Sequence, residues 1–170
     1  MKKIKYLAER IKFHLINELK PLTIHTEAIF IDEIWEEVKK KALQKKVVRW
    51  YVTTPANYEF FKVFFNTKYS KKQISEIMKK RYKWLLEHNQ RLELHVHFNK
   101  IMNISYKEQE NLIKQSVRWF EKELGFRPKE FVPGWWAYDK CTIGILKKYN
   151  LKLIKQNEYK EKHDYNLIGK

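Results

Sequence analysis

The stretch Leu92–Asn99 constrains this chain more than any other. It reads Leu-Glu-Leu-His-Val-His-Phe-Asn and alternates without a break. Leu92, Leu94, Val96 and Phe98 point one way; Glu93, His95, His97 and Asn99 point the other. Alternation of this kind marks a strand with one polar face. Helical patterns flank it on both sides, which implies a parallel sheet, and parallel strands are normally buried on both faces. A polar face on such a strand therefore needs a reason. A metal-centred site at the mouth of an α/β barrel supplies one, because histidines two apart on a strand point the same way and reach one ion. The plainer alternative is a solvent-facing edge strand whose histidines do nothing.

The remaining chain alternates strands with helices. Residues 3–19 read as an amphipathic helix, with Ile4, Leu7, Ile11, Leu15 and Leu19 near helical spacing, and Pro21 stops it. Capping of the barrel bottom suits this helix better than lying on lipid. Leu22–Glu27 reads as a strand with Thr23, His25 and Glu27 on one face. A helix over 32–43 follows, then a buried, largely β-branched and aromatic strand over 47–52. Pro55 suits the first turn of the next segment, 56–65, whose Tyr58, Phe60, Phe61, Phe64 and Phe65 form either ordinary core or a wall beside a cleft. Ser70 with Gln73 and Ser105 with Glu108 are capping-box pairs that open two further helices, and Gly125 is placed to end the second. A fourth strand lies within 130–137, broken by Pro133 and Gly134. Asp139 caps another helix that Asn150 can end, and a fifth strand runs over 151–154. This order predicts a mainly parallel sheet, open or closed, with ligands at the C-terminal strand ends. His25 and Glu27, His95 and His97, and Pro133–Trp136 all fall there.

Length and composition set the outer bounds. At 170 residues the chain is most simply one domain over 1–170, with an N-terminal helix in 1–20 and a polar tail in 157–170. An apolar fraction of 44% excludes a disordered chain. Abundant Lys, Ile and Glu with few Gly resembles a thermophile or an AT-rich genome. The single cysteine, Cys141, excludes a disulfide framework and a cysteine zinc finger. No continuous apolar run forms a signal peptide or a transmembrane span, so a cytoplasmic protein is expected. The net charge of +16 predicts attraction to polyanions, nucleic acid among them, although the lysines are spread along the chain rather than focused.

The stretch from Gly125, Gly-Phe-Arg-Pro-Lys-Glu-Phe-Val-Pro-Gly-Trp-Trp-Ala-Tyr-Asp, followed by a helix and Tyr149-Asn-Leu-Lys, resembles the third motif of the polysaccharide deacetylases. Leu92–Phe98 sits where that carbohydrate-esterase family has its histidine motif, and Leu22–Glu27 where it has Thr-Phe-Asp-Asp. The resemblance runs from about Pro21 to Ile154 and implies an α/β fold, a distorted or partial (β/α) barrel. Departures are visible. The family's first aspartate falls on His25 and its second on Thr26, with Glu27 one place later; its usual Arg falls on Val132. Its metal histidines lie further apart than His95 and His97, which are separated by Val96 alone. A closing Leu-His motif has its counterpart in His163.

The resemblance implies a metal-dependent hydrolase that deacetylates an N-acetylated sugar or a related small amide. His25, His95 and His97 are the expected ligands, for Zn²⁺ above all, with Fe²⁺, Co²⁺ or Ni²⁺ also compatible. A three-ligand zinc site leaves a position for a water whose pKa falls to about 7. Glu27 is then the expected general base and His163 the acid for the leaving amine. The backbone at Gly134 and Trp135 is expected to bind the oxyanion, and Trp135 and Trp136 to offer flat faces to a sugar ring. Glu93 is expected to orient a histidine from behind. Three alternatives stay open: a glycoside hydrolase on the same barrel, an inactive relative, and a basic nucleic-acid-binding protein.

Overall fold

The computed structural model describes residues 22–44, 48–98, 104–159 and 165–167. The expected N-terminal helix over 3–19 and His163 lie outside these described residues. Its elements are β1 (Leu22–Thr26), α1 (Asp32–Leu43), β2 (Val48–Val52), a 3₁₀ turn (Pro55–Asn57), α2 (Tyr58–Phe65), α3 (Lys71–Glu87) and β3 (Arg91–Val96). Then come α4 (Tyr106–Trp119) with a wide last turn (Phe120–Leu124), β4 (Glu130–Pro133), a 3₁₀ turn (Gly134–Trp136), α5 (Lys140–Lys148), β5 (Lys152–Leu153), α6 (Gln156–Tyr159) and β6 (Tyr165–Leu167).

All strand pairs are parallel, in the order β5-β4-β3-β2-β1-β6. Consecutive strands are neighbours, as in a (β/α) barrel, and β6 returns to lie beside β1. Among the described residues β5 and β6 do not pair, so the sheet is open between them. The stretch read as a polar tail thus contributes a sixth strand.

Strand alternation gives this sheet two unlike faces. Ile24, Trp50, Val52, Leu92, Leu94, Val96 and Phe131 belong to one large core shared with the inward faces of the helices. Ile34 and Val38 of α1, Ile74, Met78 and Leu85 of α3, Ile113 and Val117 of α4, and Ile145 and Leu146 of α5 fill it. On the other face Tyr51, Val132 and Ile154 form a separate small cluster, with Trp136 packed on it.

Near the N-terminal strand ends that second face is polar. Arg49 donates to Glu130 at 3.1 Å, and the Tyr51 hydroxyl donates to the same carboxylate. Glu93 does not support a histidine. Its carboxylate accepts from the backbone amides of Lys129 and Glu130, at 2.7 and 2.8 Å, and so fastens β3 to the start of β4.

Helix ends follow local chemistry. The Ser70–Gln73, Ser105–Glu108 and Asp139–Thr142 capping boxes are all formed. Gly125 has φ +80° after α4, and Asn66, Asn89 and Asn150 take the left-handed conformation after α2, α3 and α5.

Candidate metal centre

β1 ends at Thr26, and the next residue, Glu27, leaves the strand on the face that also carries His25. β3 ends at Val96, one residue before His97, yet His97 keeps the strand's side-chain direction and its ring meets that of His95. The three donor atoms converge. His95 Nε2 lies 3.0 Å from His97 Nε2, His97 Nε2 lies 2.7 Å from Glu27 Oε1, and His95 Nε2 lies 3.7 Å from the same oxygen. Ligands on a tetrahedral zinc at about 2.0–2.1 Å would stand about 3.3 Å apart. The triangle therefore has the size of a three-ligand metal face, and all three residues are buried.

Protonation fits the same reading. A carbonyl only accepts, so His95 Nδ1, 2.9 Å from the Val132 oxygen, carries the proton and the Nε2 lone pair faces its neighbours. Burial holds the His95 pKa below the usual imidazole value, which keeps the ring neutral. Burial would raise Glu27, but the adjacent His95 and His97 imidazoles, His97 through its hydrogen bond, outweigh it and hold the carboxyl well below the usual range. His97 Nε2–H is then shared between two acceptors, His95 Nε2 and Glu27 Oε1. A divalent cation in place of that one proton would satisfy all three donor atoms at once. Two neutral imidazoles and one carboxylate suit Zn²⁺ and its neighbours.

Surrounding residues fix this triangle. Thr53, just past β2, donates its hydroxyl to the Glu27 carbonyl at 2.5 Å. Tyr82 of α3 donates to the Thr53 carbonyl at 2.8 Å. Asn57, in the 3₁₀ turn, donates to the His97 carbonyl. Phe60 stacks on the His97 ring with centroids 4.0 Å apart and an interplanar angle of 8°. Gly134 closes on the other side: a Cβ there would lie 2.4 Å from His97 Nδ1 and 2.6 Å from Cγ. Three buried side-chain atoms lack a hydrogen-bond partner among the described residues: Thr26 Oγ1, Asn57 Oδ1 and His97 Nδ1. Buried polar atoms are usually satisfied. Here the exceptions belong to a triad residue, to the neighbour of Glu27 in the chain and to the residue that pins His97.

The expected site residues distribute as follows. His95 and His97 meet as anticipated, and the third donor is Glu27, the expected base. His25 is buried beside them, its ring centroid 5.2 Å from that of His95, but it is not one of the three converging donors. Trp135 stands edge-on to His97 at 4.5 Å and is partly exposed. Trp136 packs against Tyr51, Val132 and Ile154. Thr53 and Asn57 had no place in the expected site, and Phe60 was expected either in ordinary core or in a wall beside a cleft; its position just past a strand end was the only sequence signal for Thr53. A second cleft, lined by Arg49, Arg91, Glu93, Arg127 and Glu130 among others, lies at the N-terminal strand ends, away from the triad.

No protein-family model and no curated protein matches the chain. Solved structures do. A family 4 carbohydrate esterase from Streptomyces lividans, in complex with acetate, aligns with a TM-score of 0.58 at 10% identity over 79% of this chain and 60% of that one. A CE4 family pseudoenzyme from Bacillus anthracis aligns with a TM-score of 0.56 at 11% identity over 81% of this chain and 44% of that one. The fold is that of the family 4 carbohydrate esterases. Peptidoglycan deacetylase from Bacillus subtilis adds a third example, with a TM-score of 0.52 at 13% identity over 81% of this chain and 58% of that one. The chain therefore spans 44% to 60% of the length of these carbohydrate-esterase structures. Identities this low establish fold and no more, and a pseudoenzyme shares this fold with enzymes.

Proposed function

We propose that this chain is a metal-dependent hydrolase of the deacetylase kind, acting on an N-acetylated sugar or a related amide. The observation that carries the proposal is the Glu27–His95–His97 triangle, set at the C-terminal edge of a parallel sheet with the carbohydrate-esterase fold. That edge is where parallel α/β folds assemble their sites. Glu27, His95 and His97 would hold the ion, with Zn²⁺ the best match to the donor set. When bound, such an ion supplies Lewis acidity and makes water a usable nucleophile near neutral pH.

The protein's own groups do the rest. Val132 fixes the tautomer of His95, and Phe60 with Gly134 fixes the plane of His97. His25 occupies the position where the family pattern has its first aspartate, and as a buried imidazole beside His95 it is our candidate for proton transfer. The indole of Trp135 offers an apolar face to the carbon-bound hydrogens of a sugar ring.

The test is metal titration followed by an acetate-release assay on N-acetylated oligosaccharides. Wild-type protein should bind one Zn²⁺ or Co²⁺ per chain, and the double variant His95→Ala/His97→Ala should bind none while keeping its helical circular dichroism. Stoichiometric metal on the double variant would refute the site. The departure at His25 favours a second reading, an inactive relative that binds but does not turn over. Metal bound in full with no acetate released from any acetylated glycan would select it.

A further inference from the structure

The rim that carries the triad is apolar as well as basic. α2 follows the C-terminal end of β2 and buries Phe60 and Phe61 against the core. Its last turn leaves Val63 at 75% and Phe64 at 57% exposure, and a folded chain gains nothing by presenting these to water. Phe64 touches Trp135 of the β4 loop, ring centroids 5.4 Å apart, and Trp135 in turn reaches His97. Trp135 is 38% exposed, although its backbone and that of Trp136 lie at φ +52° and +57°. The result is one continuous strip, Val63–Phe64–Trp135, that begins in solvent and ends on the candidate metal centre.

The segment that carries Val63 and Phe64 is basic. Between Tyr58 and Lys72 there are four lysines, Lys62, Lys68, Lys71 and Lys72, against one acid, Glu59, which pairs with Lys62 at 3.1 Å. The Tyr58 hydroxyl donates to the Tyr69 carbonyl at 3.2 Å, which folds the lysine-bearing loop back along α2. The whole chain carries a net charge of +16.

We propose that this rim docks on an anionic lipid bilayer, so that the candidate site faces the membrane surface. Shallow insertion of a few apolar side chains with neighbouring lysines on anionic headgroups is how peripheral proteins hold to membranes without spanning them. Tryptophan and tyrosine are the rings that settle at headgroup level, and here they are Trp135 and Tyr69. Other occupants fit less well. A single-stranded nucleic acid needs ring faces for its bases to stack on, whereas the most exposed member of the strip is the aliphatic Val63. A second copy of the chain would need an interface of about 1,000 Å² or more, and three side chains do not supply that.

The experiment is flotation of the full chain with vesicles of phosphatidylcholine and phosphatidylglycerol in equal parts, beside vesicles of phosphatidylcholine alone. It requires no turnover, so its result is independent of whether the protein hydrolyses anything. Wild type should float with the mixed vesicles and not with the neutral ones. The double variant Val63→Ser/Phe64→Ser should bind about tenfold or more weakly. Leu43→Ser should bind as wild type does, because Leu43 is an exposed apolar residue at the far end of α1. Equal binding by wild type and the double variant would overturn the proposal, since net charge alone would then explain attachment. No flotation at all would overturn it too. So would tighter binding of wild type to an oligothymidylate, or dimerisation, if the double variant abolished either.

Discussion

At the scale of the residue, the centre depends on one missing methyl group. Gly134 lies so close to the His97 ring that no side chain fits without moving it. Gly134→Ala should therefore leave the fold intact and rotate or displace His97. Loss of a supporting contact of this sort costs about 10–100-fold in metal affinity. Zinc titration against a competing chelator measures that loss, and an unchanged affinity would show that the ring tolerates displacement. The same glycine was expected to serve the oxyanion through its backbone, whereas its visible role is to make room for an imidazole. The histidine pair was legible from spacing alone, because period-two alternation puts His95 and His97 on one side. The third donor was less legible. Glu27 and His25 share a face of β1, and only the register of β1 against β2 and β3 decides which of them reaches the pair.

At the scale of the element, α5 is the clearest case of a helix fixed at its first residue. The Asp139 carboxylate accepts from the backbone amide of Thr142 at 2.8 Å and also meets the side chain of Gln109 on α4. The Thr142 amide, with smaller help from Gln109, holds the Asp139 pKa below its usual value. A depressed carboxyl stabilises the fold above its unfolded pKa, and that contribution disappears as pH falls through the folded one. Asp139→Ala should cost about 1 kcal/mol at neutral pH, read from urea midpoints. The gap between variant and wild type should narrow below about pH 4. Capping boxes such as this one were readable because both partners lie within one turn. Most strands were readable as well, from the alternation in β1 and β3 and from the β-branched and aromatic residues of β2. The end of β4 was readable too, because Pro133 and Gly134 break the strand where the chain turns into a 3₁₀ loop. The end of β3 was not, because His97 and Phe98 continue its alternation after its ladder has stopped. β6 was missed because Tyr165–Leu167 is three residues long, too short for any periodicity to declare itself.

At the scale of the whole molecule, the sequential strand order explains how segments far apart in the chain come to share one rim. Each β-to-α connection leaves from the same edge of the sheet, so Glu27, Thr53, His97 and Gly134 are all first or second residues past a strand. The sequence could show that these positions recur. It could not show that, among the described residues, β5 and β6 do not pair, which depends on contacts between distant segments. No described helix is long and apolar enough to cross a membrane.

The place of β6 has a consequence for handling the protein. Through Tyr165–Leu167 it occupies the outer flank of β1, pairing with Ile24, His25 and Thr26. A chain cut after Tyr159 would leave the amides and carbonyls along that flank unsatisfied, next to the strand that delivers Glu27. Bare flanks of this sort recruit strands from other molecules. Such a truncation should elute as higher-order species on size-exclusion chromatography where the full chain does not. A monomeric truncation would mean that β1 is shielded by something other than β6.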